Sequence, residues 1–217
     1  MAKESAAQRS RRVLRITEIL RKQYPQAKVR LNFETPLQLL VATILAAQCT
    51  DDKVNEITPE LFRRYPDAAT LAAASQEDLE QLIRPTGFFR NKSRSLRGSA
   101  ARIVEHFGGK VPDTMEDLLS LPGVARKTAN VLLSNAFGKS EGITVDTHVL
   151  RVAARLGLSE HTDPVKMERD LMALVPAKDW SILPHLLVFH GRAICVARKP
   201  RCGECPVNKL CPSAFSF

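Results

Sequence analysis

Four cysteines crowd the last 23 residues of this chain, Cys195, Cys202, Cys205 and Cys211, in the spacing C-x6-C-x2-C-x5-C. No other feature constrains the fold as tightly. The two thiolates of a C-x2-C pair reach a common centre from one turn, and two more complete a four-sulfur shell. Such a shell suits a [4Fe–4S] cluster, and it also suits a structural zinc. The spacing is denser and less symmetric than a zinc ribbon with its two C-x2-C pairs. Two disulfides are the remaining reading. They are disfavoured because the N-terminal segment, although basic, lacks the apolar core and cleavage site of a secretory signal. Zinc nucleobase deaminases share a C-x-x-C pair but need an H-x-E element. None of His106, His148, His161, His185 and His190 stands in one. The fifth cysteine, Cys49, sits in an apolar segment and reads as a buried thiol.

Upstream of the tail the sequence reads as all helix. Val13, Ile16 and Leu20 recur at helical spacing between residues 8 and 24. Thr35-Pro36-Leu37-Gln38 combines an N-cap, a proline at the first helical position and a capping-box glutamine. The run LQLLVATILAAQ that follows is apolar nearly all round, the mark of a buried central helix. Ser75, Thr114 and Asp163-Pro164 are further start signals, while Gly108-Gly109, Pro112 and Gly123 punctuate between helices. No alternating strand, repeat or low-complexity tract is evident. No run of 18 apolar residues offers a membrane span, so a cytoplasmic, nucleoid-associated protein is expected.

The 217 residues carry 32 Lys plus Arg against 23 Asp plus Glu, a net charge of +9. A polyanion, nucleic acid first, is the expected partner. Between Gln81 and Val104 lie six basic residues and no acid, among them Arg84, Arg90, Lys92 and Arg94. Between Arg192 and Arg201 lie four, again with no acid. These stretches are either solvated faces or phosphate-tracking patches.

Residues 115–136, MEDLLSLPGVARKTANVLLSNA, pair two helical segments across a tight Leu121-Pro122-Gly123-Val124-Ala125 hairpin. The backbone N–H groups at the second helix's start form a phosphate site that ignores base sequence. Arg126 and Lys127 stand in that first turn, where a cation is unfavourable unless an anion docks or a neutral amine is wanted. A nearby cation and desolvation both favour the neutral, nucleophilic amine. Asp146 precedes a helix at Thr147-His148-Val149 and reads as its N-cap. An N-cap carboxylate stays ionised and can also stabilise positive charge on a sugar.

With LPGVARKTANVLL at 121–133, VDTHVLRV at 145–152, HGRAIC at 190–195 and ARKPRCGEC at 197–205, the chain closely resembles the endonuclease III family of helix-hairpin-helix DNA glycosylases. AAQCTDDKVN at 46–55 and GFFRNKS at 87–93 fit as well, and the likeness runs from about residue 10 to 212. The resemblance implies an all-α, two-lobed helix-hairpin-helix DNA glycosylase fold. A six-helix barrel lobe would use residues 30–137, with the helix-hairpin-helix at 115–134. Residues 1–29 plus 138–217 would form a [4Fe–4S] cluster lobe, its cluster loop at 195–211. Damaged double-stranded DNA would bind a monomer across the cleft, with Lys127 and Asp146 at its mouth.

The implied activity is base-excision repair. A DNA N-glycosylase with AP lyase activity removes an oxidised pyrimidine and cuts 3′ to the abasic site by β-elimination. Lys127 would be the nucleophile and Asp146 the electrostatic and proton-transfer partner. Gln48 matches the residue that fills the vacated stack, and Phe88 matches the wedge. Arg90, Lys92, Arg198, Lys199 and Arg201, with Leu121 to Arg126 of the hairpin, would contact DNA, and His148 is a candidate for the lesion pocket. The cluster's implied role is structural or redox-sensing. Two departures from the family stand out: Ala125 replaces a common second hairpin glycine, and Phe88 is bulkier than the usual aliphatic wedge. A monofunctional mismatch-adenine glycosylase is disfavoured by Lys127 and by the chain's ending at Phe217. A noncatalytic DNA-binding or iron–sulfur redox sensor would need neither Lys127 nor Asp146.

Overall fold

The computed structural model describes residues 4–216. Among them there are eleven α-helices, several 3-10 turns and no strand. Met1–Lys3 and Phe217, which the expected cluster lobe includes, lie outside the described residues.

The chain divides into two compact units. One runs from Arg30 to Glu141 and contains α2 (Pro36–Leu45), α3 (Asp51–Arg64), α4 (Ala68–Ala72), α5 (Gln76–Ile83), α6 (Phe89–Phe107), α7 (Met115–Leu119) and α8 (Arg126–Ala136). Helix α2 starts where the sequence signals it, with the Thr35 side chain accepting from Gln38 N–H. The Gln38 side chain does not close a box on the cap itself. Its Oε1 accepts from Glu34 N–H at 2.7 Å, one residue earlier. Leu39, Leu40, Val41, Ala42, Ile44 and Leu45 are all buried, so α2 is wrapped nearly all round, as its unbroken apolar run requires. It packs against α3, α6 and α8. Helix α6 is the longest element of the unit and packs on α2, α4 and α5.

The other unit joins the residues up to Val29 with those from Gly142 onward. It holds α1 (Ala6–Gln23), α9 (Thr147–Arg155), α10 (Pro164–Leu174) and α11 (Ile182–Ala193). Helix α1 begins two residues before the span read from periodicity, because Ser5 and Gln8 form a reciprocal capping box. Val13, Ile16 and Leu20 are fully buried against a core shared with Val149, Leu186 and Leu187. Helices α9 and α11 approach closely at Gly191, where a Cβ would come within 3.0 Å of Val152.

The units part between Glu141 and Gly142 rather than after residue 137. In the segment between, the Lys139 ammonium donates to Asp113 Oδ2 at 2.6 Å and to the Asp113 carbonyl at 2.9 Å. That tie joins the segment after α8 to the first-described unit. No helix of the described residues is long and apolar enough to cross a membrane.

Candidate nucleic-acid interface and cysteine centre

In the Arg30–Glu141 unit the hairpin between α7 and α8 is anchored from inside. Leu121 and Val124 are buried. Leu121 N–H donates to the Leu118 carbonyl at 3.1 Å, and Val124 N–H donates to the Leu121 carbonyl at 3.1 Å. The resemblance places these two residues among the DNA contacts, but the structure turns their side chains into the core and uses their N–H groups to close the turn. They shape the hairpin, while Pro122, Gly123, Ala125, Arg126 and Lys127 are exposed. Gly123 has φ +80°, and a Cβ there would lie 2.6 Å from the Cβ of Ser95. Both facts demand glycine. The Ser99 hydroxyl on α6 donates to the Pro122 carbonyl at 2.6 Å and holds the turn in place.

Ala125, where a second glycine is common, has φ −99° and ψ 170°. That is ordinary extended backbone, so its methyl imposes no strain. Ala125 is the N-cap of α8 and makes no side-chain cap hydrogen bond, unlike Thr35, Thr50 and Thr114 at the starts of α2, α3 and α7. An uncapped first turn presents N–H donors and the positive end of the helix dipole, which suits a phosphate oxygen. Lys127 is the second residue of that turn.

Two further exposed positions in this unit hold unusual backbone. Gln48 has φ 55° and Phe88 has φ 47°. Phe88 is 62% exposed, apolar surface that a wedge would use. Arg90 is exposed and lies over the Phe89 ring, 5.7 Å from its centroid. Lys92 departs from its expected role as a phosphate contact. It is only 4% exposed. Its ammonium donates to the Leu45 and Thr86 carbonyls, each at 2.8 Å. Lysine at that spacing in a basic run reads as surface; only the tertiary packing of α6 on α2 turns it inward. Cys49, read as buried, is only partly so.

In the other unit Asp146 is half-buried and caps α9. Its Oδ1 accepts from His148 N–H at 2.9 Å and from Val149 N–H at 2.8 Å. Its second oxygen makes neither of these bonds. His148 is half-buried, with Nδ1 3.2 Å from the Arg151 guanidinium. Burial pulls the His185 pKa below its ordinary value, with the Asp146 carboxylate opposing.

The same unit gathers Cys195, Cys202, Cys205 and Cys211 around one cavity, which His190, Arg155 and Ile194 also line. Burial pushes the Cys205 and Cys211 thiols up, and neighbouring cysteines push the same way. Four crowded sulfurs in a half-dry cavity want compensating positive charge, which an iron–sulfur core supplies. No three His, Cys, Asp or Glu side chains of the described residues are gathered as ligands of a single ion. Four thiolates lining one cavity suit a [4Fe–4S] cluster. Burial lowers the His190 pKa to about 4, so the ring beside Cys205, with Nε2 at 3.5 Å from Sγ, is neutral.

The residues that hold the cluster loop escaped the sequence reading. Arg155 donates to the carbonyls of Val196 at 2.7 Å and Ala197 at 2.8 Å. Arg151 donates to the Gly191 carbonyl at 2.9 Å and the Cys195 carbonyl at 3.2 Å. Arg12 ties the carbonyls of Leu156 and Leu210 together from α1. The available signal was two arginines four apart on the helix that Asp146 starts. Arg198 and Lys199 are exposed on the loop, Lys199 with φ 53°. Arg201 is exposed but engaged, donating to the Ala193 carbonyl and pairing with Glu204 at 3.2 Å.

Residues 41–177 match the helix-hairpin-helix superfamily of base excision DNA repair proteins, and residues 195–211 match the iron-sulfur binding domain of endonuclease III. The chain is 56% identical to endonuclease III of Synechocystis sp. over 96% of its length and 95% of that protein's. It is 45% identical to endonuclease III of Bacillus subtilis, over 87% of its length and 86% of that protein's. A solved structure described as a non-covalent endonuclease III–DNA complex superimposes with a TM-score of 0.90 at 39% identity, covering 95% of this chain and 97% of that one. A thermostable thymine-DNA glycosylase superimposes with a TM-score of 0.86 at 22% identity, covering 98% of this chain and all of that one, and shares the fold. The chain belongs to the endonuclease III family. Its fold is the all-α fold of that family, and its cofactor is a [4Fe–4S] cluster.

Proposed function

We infer that this protein is a base-excision DNA glycosylase with AP lyase activity, and that Lys127 is its nucleophile. The observation that carries the reading is Lys127 in the uncapped first turn of α8, beside a hairpin built to receive phosphate. Damaged duplex DNA is the substrate, oxidised pyrimidines the lesion class, and the cytoplasm at the nucleoid the place of action.

The chemistry follows from the groups. The duplex bends and the damaged nucleotide leaves the stack, at a cost that falls when the lesion stacks poorly. Gln48 fills the vacated space and Phe88 wedges beside the orphaned base. Pro122, Gly123, Ala125 and Arg126 hold phosphate at the hairpin, and Arg90, Arg198, Lys199 and Arg201 hold it elsewhere. Lys127 is exposed in the chain itself and meets the sugar when the duplex is bound. The Nζ lone pair attacks C1′, the glycosidic bond breaks, and its electron pair leaves with the base. The C1′–O4′ bond then breaks as one proton passes from the nitrogen to O4′, giving a protonated Schiff base between Nζ and C1′. Removal of the C2′ proton then expels the 3′ phosphate and cuts the strand. Asp146, with one oxygen occupied by backbone N–H groups, stabilises the cationic sugar and assists proton transfer. His148 is assigned to the lesion pocket.

Cys195, Cys202, Cys205 and Cys211 hold the cluster, which supplies a fixed, positively charged core around which the basic 195–211 loop is ordered. Assay of duplex DNA carrying one thymine glycol tests the reading. Free base and a strand cut 3′ to the lesion are expected. Tight binding with neither product would leave a DNA-binding protein and sink the enzyme.

A further inference from the structure

The buried ammonium of Lys92 is absorbed by none of these roles. Helix α2 ends at Leu45, and its last carbonyls need partners beyond the helix. Ala46 N–H takes the Ala42 carbonyl at 2.9 Å, and Lys92 Nζ takes that of Leu45 at 2.8 Å. The same ammonium takes the Thr86 carbonyl at 2.8 Å, at the end of the 3-10 turn Arg84–Thr86. One cation thus caps two helical C-termini, where the dipole favours positive charge.

Both termini lead directly into left-handed backbone. Three residues after Leu45 comes Gln48, with φ 55°, and two residues after Thr86 comes Phe88, with φ 47°. L-residues in the left-handed region persist only where surrounding structure over-determines them. The far end of the first loop is held by the Thr50 cap on Lys53 N–H. Lys92 also donates its own backbone N–H to the Phe88 carbonyl at 3.0 Å. A single residue on α6 therefore grips both strained loops.

We propose that Lys92 is a positioning residue for base extrusion, fixing Gln48 and Phe88 at one spacing so that filler and wedge enter the duplex together. The proposal rests on the reading of those two residues as filler and wedge. Burial lowers the Lys92 pKa, with the Cys49 thiol opposing. An apolar side chain in its place would leave the Leu45 and Thr86 carbonyls without this donor.

The test compares Lys92→Met with Gln48→Ala and Phe88→Ala in cluster-loaded protein. Single-turnover base excision is measured on a thymine glycol duplex, and lyase cleavage on a single-stranded abasic oligonucleotide, which has no stack to open. A 2-aminopurine opposite the lesion reports unstacking. For Lys92→Met we expect at least about a tenfold loss of duplex excision and loss of the 2-aminopurine response, with single-strand cleavage within about threefold of wild type. Adding Lys92→Met to the Gln48→Ala, Phe88→Ala double variant is expected to cost little more. Unchanged duplex excision in Lys92→Met, or equal losses on both substrates, would overturn the proposal. If Gln48→Ala and Phe88→Ala leave duplex excision and the 2-aminopurine signal intact, the filler-and-wedge reading itself fails. Should Lys92→Met not fold, Lys92→Arg, which keeps the charge but changes the donor geometry, is read instead. A selective duplex loss supports the proposal, and an even loss or none contradicts it.

Discussion

At Asp146 one carboxylate oxygen accepts two backbone N–H groups, so a structural and a chemical role share one side chain and can be separated. Asparagine caps helices about as well as aspartate, whereas alanine costs about 1 kcal/mol. Asp146→Asn is therefore expected to unfold in urea within a few tenths of a kcal/mol of wild type, yet to lose on the order of a hundredfold or more in single-turnover excision, the scale of removing a preorganised electrostatic partner. Asp146→Ala should show both losses. Equal activity in wild type and Asp146→Asn would leave only the cap. Nearby, burial holds the His185 pKa below its ordinary 6.5. Between the folded value and 6.5 the unfolded chain binds a proton that the native chain does not, so stability rises with pH through that window and is lost as pH falls through it. His185→Gln is expected to flatten this acid-side slope in urea titrations; an unchanged slope would show that another group carries it. Lys127, Asp146 and the cysteines stand out in the sequence as candidates because each lies in a local motif. The inward turn of Lys92 does not, because nothing local distinguishes a lysine that turns inward from one that faces solvent.

Helix starts were the most legible elements. Thr35, Ser75, Thr114 and Asp163 each accept the N–H that their sequence signals imply, since capping is chemistry among near neighbours. Helix ends were less so. The apolar run through Gln48 reads as continuous, but α2 stops at Leu45, whose carbonyl is taken by Lys92, 47 residues away. The hairpin shows the same division. Gly123 is obligatory for its φ of +80° and for the Ser95 contact, and Gly123→Ala is expected to cost about 1–3 kcal/mol and to weaken duplex binding across base sequences. Ala125→Gly should leave stability within about 1 kcal/mol and affinity nearly unchanged, because Ala125 already sits in extended backbone. Melting and duplex titration of the two variants check this; a tolerated Gly123→Ala would mean the turn is softer than its contacts imply.

For the molecule as a whole, the net charge of +9 makes salt the natural probe of duplex binding. The logarithm of affinity should fall linearly with the logarithm of salt, and Arg198→Ala should reduce the slope by about one. An unchanged slope would place Arg198 off the phosphate track. Which segments share a unit was legible only through the resemblance. Val13, Ile16 and Leu20 meet Val149, Leu186 and Leu187 in one core across more than a hundred residues of intervening chain, and no periodicity encodes that pairing. The arginines that brace the cysteine loop, Arg12, Arg151 and Arg155, went unread for the same reason. The central claim is that Lys127 forms the covalent bond, and borohydride trapping on duplex DNA with one abasic site tests it most directly. Wild type should yield a protein–DNA adduct that disappears in Lys127→Ala while the variant keeps its cluster absorbance and still binds the duplex. An adduct that persists in Lys127→Ala, or none from cluster-loaded wild type, would contradict the account.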